Sequence, residues 1–109
     1  MSILLLSKNS KKFIEKKNIK NIIIDLDYIE ENCAQIYDPR VRTIKDRDLY
    51  KFENLPRVSN GELTLYISKP FITKFGRLDE FQLDVGGMIK KGLFLSNVEP
   101  IIIDTCNSK

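Results

Sequence analysis

The chain contains no histidine and no tryptophan. Without histidine a Cys–His or Ser–His hydrolase cannot be assembled, and the commonest metal ligand is missing. Cysteine occurs only twice, at Cys33 and Cys106. These two thiols carry nearly all the soft-ligand and nucleophilic chemistry the chain owns. No CxxC or C-x-C spacing is present, so one chain cannot close a four-ligand site from cysteine alone. No apolar run approaches ~18 residues, and nothing reads as a membrane span. The apolar opening Met1–Leu6 is too short for a signal peptide, and Lys8, Lys11 and Lys12 follow where a cleavage site would be. The expected location is therefore cytoplasmic, where thiols stay reduced. That expectation counts against a Cys33–Cys106 disulfide and leaves both sulfurs available as thiolates.

What is present describes an ordinary globule. The 109 residues are 42% apolar and 30% charged, which suits one domain, residues 1–109, with a single core. The net charge is +3, unevenly spread: residues 1–20 carry six lysines against Glu15. A basic segment of this kind is a solvated helix face or a contact for an acidic partner. No aromatics interleave with the lysines to stack bases, so nucleic acid is not expected as a partner.

Local signals give an α+β chain, β-rich, with mixed and antiparallel sheet and two short helices. Ile3–Leu6 reads as a strand. Ser7 is placed to cap a helix through Lys17 that buries Phe13 and Ile14, with Asn18 as its stop. Asn21–Tyr28 alternates as a strand, with Ile22, Ile24 and Leu26 on one face. Residues 29–39, rich in Glu, Asn, Gln and Asp, read as a loop with Cys33 at its middle. A second strand follows over Arg40–Arg47. Asn60-Gly61 marks a turn. Glu62–Ser68 is a clear strand, and Lys69-Pro70 opens a helix that Gly76 ends. Leu78–Val85, Leu93–Val98 and Pro100–Asp104 complete the set of extended segments.

Several groupings could carry chemistry. Arg40, Arg42, Lys45 and Arg47 form a basic strip that would favour a Cys33 thiolate if it lay nearby. Asp25, Asp27, Glu30 and Glu31 form an acidic group that could offer hard oxygen ligands but reads as solvated surface. Tyr28, Tyr37, Tyr50 and Phe52 read as cover for the core. Two cysteines from each of two chains make four thiolates, the number a [2Fe-2S] cluster takes.

Read in order, the segments resemble the HesB-like, A-type iron–sulfur carrier family, near its branch with a Cys-Cys or Cys-selenocysteine loop. Leu4–Ile14 is similar to the family's opening strand and helix, and Ile22–Leu26 to its first long strand. Cys33-Ala34-Gln35-Ile36-Tyr37 falls at the family's Gly-Cys-Ser-Gly type loop. Asp38–Arg42 looks like the proline-led strand of that branch, and Gly61–Lys69 like the strand entering its short helix. Asp79–Asp84 and Gly92–Asn97 resemble its last strands. The resemblance implies a β-rich domain, often dimeric, in which Cys33 would be the loop ligand and Cys106 a tail ligand of a [2Fe-2S] cluster or iron held between subunits. The chain departs from the pattern at Asn32 and Ala34-Gln35, where glycines or a second cysteine are expected, and in a tail without Cys-Gly-Cys. The expectation is a non-enzymatic cluster carrier, homo-oligomeric, working with a protein partner in transfer. The alternative is a cofactor-free interaction module that kept the fold and binds through the Lys8–Lys20 face or an exposed sheet edge.

Overall fold

The computed structural model describes residues 2–87 and 90–106. The tail residues 107–109 lie outside it. Eight strands and two α-helices run in the order β1 (Ile3–Leu6), α1 (Lys8–Lys17), β2 (Asn21–Glu31), β3 (Ala34–Thr43), a 3-10 helix (Asp46–Phe52), β4 (Arg57–Ser59), β5 (Thr64–Ile67), α2 (Lys69–Phe75), β6 (Glu80–Gly86), β7 (Gly92–Leu95) and β8 (Ile101–Asp104). The fold is α+β and β-rich, with two mixed sheets ordered β1-β6-β7 and β4-β5-β2-β3-β8.

Short-range chemistry sets the helix ends. Ser7 caps α1 by accepting from the Ser10 amide at 3.1 Å, satisfying one of the donors a helix start leaves unpaired. Asn18 ends the helix in the left-handed region, at φ 56°. Ser68 caps α2 through the Phe71 amide at 3.3 Å, with Pro70 in the first turn. At the turn before β5, Asn60 Oδ1 accepts from the Glu62 and Leu63 amides. Gly61 supplies the positive φ, 95°, that this turn requires.

The main core draws on both sheets and both α-helices. Leu4, Phe81, Leu83 and Leu95 come from one sheet, and Ile22, Ile24, Val58, Leu65 and Ile67 from the other; Ile14 and Phe71 come from the helices. Ser10 is fully buried in α1, where its hydroxyl donates to the carbonyls of Ser7 and Leu83. Phe13, expected beside Ile14, is only half-buried. A smaller cluster of Ile23, Ile44 and Tyr66, with Leu49, Phe52 and Leu55 against it, covers the other face of β2. The 3-10 helix closes that face, so both faces of β2 are buried at its N-terminal end.

The main correction concerns residues 29–39. Only Asn32 and Cys33 turn; the rest is strand, and β2 and β3 make one long antiparallel hairpin, paired from Ile22–Thr43 out to Glu31–Ala34. Polar composition suggested a loop, but cross-strand pairing overrode it. Pro39 is tolerated within β3 because it lies past the last pairing with β8, Tyr37–Ile101, where one side of the strand has no partner. Beyond Ile24, β2 also loses its β5 partner. The far half of the hairpin, with β8 alongside, therefore projects as an arm. The molecule measures 51 × 33 × 27 Å, and its radius of gyration is 15.0 Å, against ~13 Å for a compact chain of this length.

One titratable group supports the junction of α1 and β6. The Ser7 hydroxyl donates to Asp84 Oδ1 at 2.7 Å, and the Val85 amide donates to the same oxygen at 2.8 Å. These two hydrogen bonds hold the Asp84 carboxyl below its ordinary value of 3.8, against a smaller opposing effect of burial. A carboxylate depressed in the folded state stabilises fully above the unfolded value, and that contribution is lost as pH falls through the folded value. Ser7→Ala should lower the unfolding free energy by about 1 kcal/mol in urea melts at neutral pH. Asp84→Asn should flatten the acid limb of stability below about pH 4 relative to wild type.

Candidate functional site

The two cysteines meet at the tip of the arm. Asn32 and Cys33 form the two-residue turn between β2 and β3. β8 runs antiparallel to β3, pairing Ala34 with Asp104 and Tyr37 with Ile101. One step further along this ladder, the Thr105 amide donates to the Cys33 carbonyl at 2.8 Å. That register brings Cys106 to Cys33 across 73 residues of sequence, with Cα atoms 4.5 Å apart, and the sulfurs are bonded. Asp104 Oδ1 accepts from the Cys106 amide at 3.1 Å and shapes the end of the strand.

The expectation of two reduced thiols is therefore corrected. Its premise was a compartment, whereas the pairing is set by ladder geometry within one chain. A shallow depression around the bond is lined by Glu31, Asn32, Cys33, Ala34, Ile102 and Asp104. Bonded sulfurs present no thiolate to a metal. Among the described residues no group of three or more Cys, Asp or Glu side chains is placed to hold an ion. Within one oxidised chain, then, the donor set does not fit a [2Fe-2S] cluster or iron.

The basic strip is not at Cys33 either. Arg40 lies seven residues along β3, roughly 23 Å away at about 3.3 Å per residue. Arg40 pairs with Asp38 and Asp27. Arg42 forks onto both oxygens of Asp27, at 2.9 Å each, and reaches Asp25 at 3.8 Å. The acidic and basic groups thus satisfy each other on one face of the hairpin. Each pair is half-exposed, so the network adds little stability.

Apolar side chains dominate the rest of the arm. Register places Ile29, Ile36 and Ile102 in one row across β2, β3 and β8. Strand alternation puts Tyr28, Tyr37, Ile101 and Ile103 on the opposite face. Ile102 is 67% exposed, and Tyr28, Ile103 and Ile29 are exposed too. Tyr28 and Tyr50 were expected to cover the core; both are instead exposed, while Phe52 packs on the smaller cluster. Tyr28 and Tyr37 lie 5.1 Å apart between ring centroids, and the Lys74 ammonium sits 4.1 Å over Tyr37. Partial desolvation, then Glu30 and Tyr37, push the Tyr28 hydroxyl above its ordinary value, so it stays protonated at neutral pH.

Comparison with family models, with curated proteins and with solved structures returns no match. The arm was not marked by any motif in the sequence. Its one legible sign was the apolar run Ile101-Ile102-Ile103 beside a cysteine.

Closing a 73-residue loop constrains the unfolded chain substantially. Reduction, or the Cys33→Ser/Cys106→Ser pair, should lower the unfolding free energy by about 2–4 kcal/mol in urea melts. Amide exchange should quicken first at Ile101–Asp104, by hydrogen-exchange NMR.

Proposed function

We propose that the chain is a non-enzymatic interaction module that works without a cofactor through the β8 side of the arm. The observation that carries this reading is the open edge of β8. Among the described residues the five-stranded sheet ends there, on a strand with three consecutive isoleucines. Edge strands in proteins that stay apart are blunted by shortness, charge, proline or a bulge; β8 is short and ends on Asp104, but Ile101–Ile103 carries no charge and no proline. An exposed edge of this kind pairs with another strand through its main chain, and alternate side chains supply the fit.

A second copy of this chain is the partner whose register can be written. Two β8 strands paired antiparallel about Ile102 place Ile102 beside its own copy and Ile101 beside Ile103. The row Ile29–Ile36–Ile102 then continues into the partner as six isoleucines. Asp104 falls opposite Pro100, so no like charges face each other directly. Sedimentation velocity should give a dimer for the oxidised protein. Ile102→Lys should weaken it by about two orders of magnitude, because two isoleucines each lose ~1.5 kcal/mol of burial. A wild type that stays monomeric in the high micromolar range would sink this partner assignment.

The juxtaposition of Cys33 and Cys106, together with the resemblance to HesB-like carriers, supports a second reading. Reduced, the arm tip offers two thiolates on one chain, and two chains offer four, enough to carry a [2Fe-2S] cluster as cargo between subunits to a protein partner. Under this reading the protein works in the reducing cytoplasm. Anaerobic reconstitution of the reduced protein with iron and sulfide should give cluster absorbance that Cys33→Ser removes. No absorbance, or absorbance unchanged by that substitution, ends the carrier reading.

A further inference from the structure

A second surface, remote in sequence from both cysteines, has the makings of a ligand site. Between α1 and the connection from β6 to β7 lies a hollow of about 600 Å³. Lys12, Lys16 and Lys17 line it from the helix, and Lys90 and Lys91 from the connection; Phe13 and Val85 also line it. No aspartate or glutamate lines it. Among the described residues none of these five lysines makes an ion pair.

The helix residues lining the hollow, at 9, 12, 13, 16 and 17, follow the spacing that normally turns a stripe onto a core. Here that stripe faces an open hollow, while Ser10 and Ile14 are the residues α1 buries. The helix dipole favours Lys16 and Lys17 in the last turn. It gives no account of Lys12, Lys90 or Lys91. Like charges at i and i+4, as at Lys12 and Lys16, are destabilising. Five ammonium groups around one concavity create a positive potential that concentrates anions there.

We propose that this hollow binds a small organic polyphosphate, with its phosphates on the lysine rim and its flat apolar body against Phe13 and Val85. Lysine binds phosphate as a mobile point charge, which suits a rim without a preformed backbone cradle. The volume lies within the range of small-molecule sites. A single aromatic over one confined hollow favours a small ligand over a nucleic-acid strand, which needs a track of stacking positions. The Lys17 ammonium now stands 5.4 Å from the Phe13 ring centroid. Its transfer to a phosphate would clear that ring for the ligand body.

The test is calorimetric titration of the full chain, at low salt and without magnesium, with inorganic triphosphate and with ATP. Both should bind saturably, ATP more tightly, and Phe13→Leu should erase the advantage of ATP. Lys12→Glu/Lys91→Glu should weaken both by about tenfold or more, the loss of at least one charge-assisted contact. Lys51→Glu/Lys69→Glu makes the same change in net charge away from the hollow and should weaken them much less. Absence of saturable binding would overturn the proposal. So would equal losses in the two double variants, equal affinity for triphosphate and ATP, or a short oligonucleotide that binds more tightly than ATP. All four lysines are exposed, and the fold of each variant is checked by its NMR spectrum.

Discussion

The β2–β3 ladder is the constraint on which the rest of the structure depends. At Ile22–Ile24 β2 is held on both sides, by β5 and by β3. There Ile22 and Ile24 fill one core and Ile23 the other. From Asp25 onward β3 is its only partner, yet the pairing continues without a break to Glu31. The body therefore fixes the register of the arm from one end. A slip of one residue would turn every side chain to the opposite face, and the buried isoleucines forbid it. The row Ile29–Ile36–Ile102 and the meeting of the two cysteines both follow from a register set some distance away, in the core.

Between core and tip, the aspartates and arginines hold the ladder where burial gives out. Asp25, Asp27 and Asp38 with Arg40 and Arg42 lie on one face, where no element covers the hairpin. Such half-exposed pairs contribute little stability each. The ladder sets Asp27 directly opposite Asp38, a like pair that would repel, and Arg40 bridges the two while Arg42 adds a second cation on Asp27. Register is specified nearer the body, by the buried isoleucines; the charges here neutralise one another. The same compensation removes the arginines from any part in the chemistry of Cys33.

Features that depend on two or three neighbouring residues were legible in the sequence. Ser7, Asn18, Pro70 and Gly76 mark helix ends through their own hydrogen bonds and dihedral preferences, and they stand where those preferences put them. Residues 29–39 were not legible in the same way. Their Glu, Asn, Gln and Asp composition is that of a loop, and their strand conformation comes from partners three to seventy residues away. Arg57–Ser59, too short to show a period, was likewise hidden. The neighbourhood of Cys106 could not be read because it depends on β8 choosing β3. The lysine-lined hollow could not be read either, since Lys90 and Lys91 join α1 only through the folding of β6 beside β1.

The disulfide and the open edge are energetically linked. β8 is a four-residue strand whose side chains stay largely in water: Ile102 and Ile103 are exposed, and only Ile101 is half-buried. It buries too little apolar surface to offset the entropy of ordering these four residues by itself. The bond between Cys33 and Cys106 removes much of that entropy from the unfolded side, and so holds the edge in place. The same two sulfurs that would grip a cluster when reduced are thus the ones that keep β8 docked when oxidised. Interaction through an ordered edge and carriage of a cluster by free thiolates belong to opposite redox states of one pair of atoms. A single oxidised arm cannot do both.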